Sequence, residues 1–205
     1  MIRYLLRILV IGCAGFTTQA YSAIAVFWDG EGIGDPLDGS ADTVIQVQPN
    51  TPFSVNLYAA TFNPQSPNDT DDGHGGLLSW GGIVNFDATA ATVNSSTIPA
   101  ANWFVVGKND ITPGSVNLVA GRVGAGLMGP QLLTTLNLTA SKSFTLSLAD
   151  HPSPFDDFVA HDGTVYDGTF TLPTLNVQAV PLPGAALLMM SGLMGAFGIK
   201  LSKQR

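Results

Sequence analysis

Apolar and polar residues alternate with a period of two through the middle of the chain. Phe53, Val55, Leu57 and Ala59 share one side, and Ser54, Asn56 and Tyr58 the other. Phe144, Leu146 and Leu148 alternate with Thr145 and Ser147. Leu132, Leu136, Leu138 and Ala140 share a parity with Thr134, opposite Asn137 and Thr139. Each pattern predicts a strand with one buried and one wet face, as in antiparallel sheets. Segments 24–28, 44–47, 78–86, 103–107, 115–121, 165–172 and 175–179 predict further strands, and no stretch between the ends shows a 3.6-residue period. Gln48-Pro49-Asn50-Thr51-Pro52, Thr112-Pro113-Gly114 and Asp162-Gly163 predict turns, and Gly81-Gly82 inside an apolar strand predicts a bulge. Many short strands with Gly/Pro-rich turns give an all-β, antiparallel sandwich, with Trp80, Phe86, Trp103 and Phe144 in or near its core.

The two ends follow other rules. Residues 1–23 carry the zones of a secretory signal: basic Arg3 and Arg7, an apolar run over 8–16, and small residues before the domain. The run is shorter than the roughly 20 residues a bilayer span needs. Cleavage after Ala20, Ser22, Ala23 or Ala25 is open, and Val10-Ile11-Gly12-Cys13 leaves a lipidated Cys13 as an alternative. At the other end, Val180-Pro181-Leu182-Pro183 precedes an uncharged stretch over 184–199 and then Lys200, Lys203 and Arg205. As a helix that stretch is about 24 Å long, enough for one short transmembrane segment with lysine snorkelling, its basic end cytoplasmic. The chain therefore divides into a signal peptide (1–23), a β-sandwich domain (24–179) and a C-terminal sorting signal (180–205).

These last residues resemble the PEP-CTERM sorting signal, and more closely its VPLPA-CTERM variant, from which Gly184 departs where Ala is usual. The resemblance implies an exosortase substrate of a Gram-negative bacterium: an intermediate tethered to the inner membrane, then processing and release to the cell surface or outside. It also implies the company of extracellular polysaccharide.

Composition narrows the chemistry. Of the 205 residues only 11% are charged, against about 25% on average. All fifteen acidic residues lie between Asp29 and Asp167, whereas the central domain holds just three cations, Lys108, Arg122 and Lys142. Such a surface repels phosphates, so nucleic acid is excluded as a partner. The lone Cys13 lies in the signal peptide, leaving no disulfide framework, and a domain of this size needs neither disulfide nor metal to fold. No required cofactor is expected.

Two acidic stretches are the candidate sites. Asn68-Asp69-Thr70-Asp71-Asp72-Gly73-His74 concentrates hard oxygen ligands, so Asp69, Asp71 and Asp72 are candidate Ca²⁺ ligands, although the Glu that closes an EF-hand is missing. A merely solvated loop is the other reading. The second stretch holds Asp150, His151, Asp156, Asp157, His161 and Asp162 at no recognisable ligand spacing and reads as an acidic connection. No Gly-x-Ser-x-Gly elbow, mature cysteine or phosphate loop is present, so the chain reads as no enzyme. Trp28 and Tyr166 are candidate sugar-stacking aromatics, with core burial the commoner fate.

Finally, Phe53-Ser54-Val55-Asn56-Leu57, Gly82-Ile83-Val84-Asn85-Phe86-Asp87, and segment 132–140 followed by 144–149 resemble in their order the cohesin-like jelly-roll sandwich of exported bacterial proteins. The resemblance implies about nine strands and binding through a surface, and it carries no dockerin-recognition residues with it. The expected function is that of a non-catalytic, structural or adhesive surface protein in a polysaccharide-associated layer. The alternative is a carbohydrate-active enzyme or a Ca²⁺-dependent glycan-binding module.

Overall fold

The computed structural model describes residues 24–30, 42–63, 69–106, 109–152 and 157–181. The expected signal peptide and transmembrane segment, together with Leu182, Pro183 and the basic residues Lys200, Lys203 and Arg205, lie outside them. Every regular element among the described residues is a strand: β1 (Ile24–Asp29), β2 (Val44–Val47), β3 (Pro52–Thr61), β4 (Leu77–Asn85), β5 (Ala91–Thr97), β6 (Phe104–Val105), β7 (Ile111–Thr112), β8 (Ser115–Gly121), β9 (Pro130–Ala140), β10 (Phe144–Ala149), β11 (Val159–Ala160) and β12 (Thr174–Ala179). They form a four-stranded sheet, β1-β3-β9-β5, and an eight-stranded sheet, β2-β12-β10-β4-β8-β6, with β11 on β4 and β7 on β8. Among the described residues no helix is long and apolar enough to cross a membrane.

The strands of strongest alternation pair as the pattern requires. Val55, Leu57 and Ala59 of β3 and Leu136, Leu138 and Ala140 of β9 are buried on the inner face. The parity reading fails at Leu132, however. The β3–β9 register slips between Leu57, which faces Thr134, and Tyr58, which faces Leu132. Leu133 is the extra residue, and it and Thr134 are both fully buried. A bulge turns two successive side chains inward and sends Leu132 outward, beyond what strict alternation foresees.

Other expectations are corrected. Gly81-Gly82 makes no bulge, because β4 runs against β8 in unbroken register from Ser79 to Asn85. Gly82 instead admits close packing: a Cβ there would sit 2.8 Å from Leu148 Cδ1. Segment 165–172 is no strand. Thr169 N–H donates to Tyr166 O in a turn, and Gly168 takes a positive φ of 75°. Strands β5, β7 and β11 had no sequence forecast, and the element count exceeds nine. One pairing is parallel, β12 with β2, running from Asn176 opposite Val44 to Ala179 opposite Val47.

The core between the sheets is aromatic at its centre. Trp80 meets Trp103 edge-on at 6.3 Å, and Phe158 at 6.5 Å. Phe86 and Phe144 pack at the margin of the same cluster. The indole N–H of Trp103 donates to Leu132 O at 2.9 Å, and that of Trp28 to Pro173 O at 3.3 Å. Trp28 and Tyr166 are both buried, so neither offers a ring face to a sugar.

Candidate binding surfaces

Segments 69–76 and 157–168, distant in sequence, form one latched lobe that includes β11 and lies beside β4. Its centre is buried Asp72. Asp72 Oδ1 accepts the backbone N–H groups of His74 at 2.9 Å and Gly76 at 3.1 Å, while Oδ2 accepts the Tyr166 hydroxyl. Burial first, and then the bond and charge of Asp72, push the Tyr166 phenol well above its ordinary pKa. Across the lobe, His161 N–H donates to Gly76 O at 2.9 Å. His74 Nδ1 lies 2.9 Å from Asp162 Oδ2. The His74 bond, followed by the Thr164 N–H, lowers the Asp162 carboxyl to about 2. A close backbone crossing completes the lobe: a Cβ on Gly76, whose φ is 80°, would fall 2.6 Å from the Leu127 carbonyl carbon.

Asp69, Asp71 and Asp72 are thus engaged with their own loop. Asp69 Oδ1 accepts the Asp71 N–H and Asp71 Oδ1 the Gly73 N–H, each at 3.0 Å. These turns satisfy backbone donors in a segment with no ladder of its own.

The converging carboxylates are a different set. Oxygens of Asp150, Asp157 and Asp167 all lie within 4.8 Å of one another. Asp167 Oδ2 also accepts the Phe158 N–H at 3.2 Å. Desolvation, then the charges of Asp157 and Asp150, push Asp167 up to about 7. A proton can therefore hold this group together, where a hard cation would need additional oxygens to complete a shell of six to eight. Of the second acidic stretch, the fold brings Asp150 and Asp157 here and takes Asp162 to His74; Asp156 lies outside the described residues. Asp167 was missed because it stands in a run that reads as a strand, on the parity of Thr169 and Thr171, where a polar residue fits the wet face and draws no notice.

Two grooves among the described residues hold about 330 and 260 Å³. The first is lined by Ile45, Val47, Pro52 and Phe53, the second by Phe86, Ala91, Ile111 and Pro113, and neither has a carboxylate or imidazole in its wall. Neither therefore has the paired carboxylates that hydrolysis of a glycosidic bond requires.

A third feature has an unmistakable surface character. Strands β6 and β7 form the outer border of the eight-stranded sheet, both paired to β8. Phe104, Val105, Val106 and Ile111 are 48%, 50%, 41% and 42% exposed there. The Phe104 ring reaches over Gly121: a Cβ on that glycine would lie 3.5 Å from Phe104 Cζ. Exposed apolar side chains gathered at an open sheet edge mark a place where another chain can dock.

No protein-family model matches the chain. No curated protein matches it either. Solved structures do. A cohesin module of a family 33 glycoside hydrolase from Clostridium perfringens superposes with a TM-score of 0.51 at 18% identity, covering 78% of this chain and 99% of that one. A type I cohesin–dockerin complex from Clostridium thermocellum gives 0.53 at 7% identity, covering 78% of this chain and 100% of that one. The fold is cohesin-like. A type III cohesin from the cell-surface anchoring scaffoldin ScaE of Ruminococcus flavefaciens agrees, at 0.51 and 10% identity over 77% of this chain and 88% of that one. The cohesin-like sandwich expected from the order of its segments is thus present, while identity this low speaks for the fold alone.

Of the four residues expected to form a sorting motif, Val180 and Pro181 are described. Val180 N–H donates to Val47 O at 2.9 Å, one residue beyond the parallel β12–β2 ladder.

Proposed function

We propose that this chain is an exported, non-catalytic module that holds a protein partner through the open apolar edge of its eight-stranded sheet, and that its C-terminal segment is a sorting signal cleaved by an exosortase. The observation that carries the binding reading is the exposed group Phe104 and Val105 on β6, Val106 just after it, and Ile111 on β7. The fold supports it, since one cohesin with this fold was solved in complex with a dockerin. Calcium-dependent glycan binding at Asp69, Asp71 and Asp72 is less favoured, because Asp72 would have to give up Tyr166 and two backbone donors to reach a cation.

A photo-crosslinking residue placed at Phe104 in the native host tests the edge. It should trap a discrete protein that the same residue at Thr97, on the other sheet, does not trap; equal or absent crosslinks at both positions reject the reading. Sorting is tested separately by intact-mass analysis of the surface form. The signal peptide and the residues beyond the cleavage point should be missing, and Pro181→Ala with Pro183→Ala should block the second cut. A surface form that still carries residues 187–205 in exosortase-containing cells defeats it.

A further inference from the structure

We propose that the outer face of the four-stranded sheet is a platform for a neutral polysaccharide chain, with the Phe27–Tyr58 ring pair as its apolar step and Asn94, Asn137 and Thr139 as its hydrogen-bonding step. The inference concerns a face and a ligand class separate from the apolar edge, and rests on that reading only in taking the module to be exported.

The rings come first. Phe27 and Tyr58 stand directly opposite each other in the β1–β3 register. Their centroids are 5.7 Å apart with 14° between the planes, and both rings keep part of their surface in solvent. They point away from the core, on the side opposite Val26, Trp28, Leu57 and Ala59. An aromatic pair on the wet face offers C–H-rich sugar rings the kind of apolar, polar-tipped surface that aromatic residues bring to binding sites.

About 13 Å along β3 from Tyr58, at the Ser54–Asn137 pair, lies an ordered row of amides and hydroxyls on the same face. Asn94 Nδ2 donates to Asn137 Oδ1 at 3.1 Å and to Thr139 Oγ1 at 3.0 Å. Asn137 Nδ2 in turn donates to Ser54 Oγ at 3.4 Å. These bonds use the Asn94 amide and the acceptor side of the Thr139 and Ser54 hydroxyls, and leave the Asn94 carbonyl and the donor capacity of both hydroxyls without a partner among the described residues. A sugar hydroxyl is both donor and acceptor, so a row with both kinds of free capacity suits it. Because the row is already ordered, binding loses less side-chain entropy.

Charge selects the ligand. The protein holds fifteen acidic residues, yet β1, β3, β5 and β9 together carry one, Asp29, buried on the parity of Phe27, where its charge adds to burial in raising the Tyr58 phenol, and no lysine or arginine. A polyanion finds no cation on this face and meets the acidic remainder of the domain, whereas a neutral chain pays no such penalty. A second copy of the chain is the lesser fit, since the face lacks the contiguous apolar centre that stable dimers bury.

Affinity electrophoresis of the exported chain through gels containing hydroxyethyl cellulose, galactomannan or alginate tests the proposal. At least one neutral polymer should retard the protein and alginate should not. Tyr58→Ala and Asn94→Ala should each weaken the retardation by about tenfold or more, while Phe104→Asp on the other sheet leaves it unchanged; thermal unfolding checks that each variant is folded. No retardation by either neutral polymer, or retardation that survives both Tyr58→Ala and Asn94→Ala, overturns the proposal. So does concentration-dependent dimerisation in the ultracentrifuge that Tyr58→Ala abolishes, which would give the face to a second copy.

Discussion

Replacing Tyr166 with Phe removes one oxygen from the centre of the acidic lobe and tests whether Asp72 is a structural latch. In the wild type, Asp72 accepts two backbone N–H groups on one oxygen and the phenol on the other. Tyr166→Phe keeps the ring's packing and leaves Oδ2 of a buried carboxylate without its donor. A hydrogen bond to a charged group contributes about 1.5–3 kcal/mol, and an orphaned buried acceptor stands toward the upper end. For a domain of roughly 150 residues, where 1 kcal/mol moves the melting temperature by about 2–4 °C, the expected fall is about 5–10 °C. Asp72→Ala should cost more, about 3–5 kcal/mol, because it strands three donors at once. Urea denaturation of Asp72→Ala, Tyr166→Phe and the double variant closes a cycle, and a coupling energy of about 1.5 kcal/mol or more is expected. A coupling near zero, with Tyr166→Phe within about 0.5 kcal/mol of wild type, would refute the latch.

Three further outcomes are expected. Asp167 is raised to about 7, so the native state holds a proton that the unfolded chain releases near pH 4, and stability contributed by this group falls as pH rises from about 4 to 7. Melting temperatures across that range should show the decline in wild type and lose part of it in Asp167→Asn. Asp162, lowered to about 2, acts oppositely: its contribution is present above about pH 4 and disappears as pH drops toward 2, and Asp162→Asn removes that part of the acid sensitivity. Gly76→Ala should destabilise by several kcal/mol, because its φ of 80° is joined by a backbone clash at 2.6 Å, whereas Gly163→Ala, at φ 89° with open space around it, should cost only about 1 kcal/mol in the same denaturation assay.

The sequence by itself determined the strands whose alternation is unbroken. Val55, Leu57 and Ala59, like Phe144, Leu146 and Leu148, are buried because a period of two puts them on one face whatever the strand pairs with. It determined the fold class too, since that alternation, the scarcity of helical periods and the turn residues all agree. What depends on partners far along the chain was not legible. Leu133 enters the core only because β3 slips against β9. Phe27 and Tyr58, not Trp28 and Tyr166, became the surface aromatics because of which face each strand turned to the other sheet. Asp72 finds Tyr166 at a separation of 94 residues, and Asp167 joins Asp150 and Asp157 only through the turn that replaced the expected strand. Side-chain parity is a local property of the backbone, so composition and spacing disclose it. The meeting of two loops is decided by how the whole sandwich closes, and no short window of sequence contains that information.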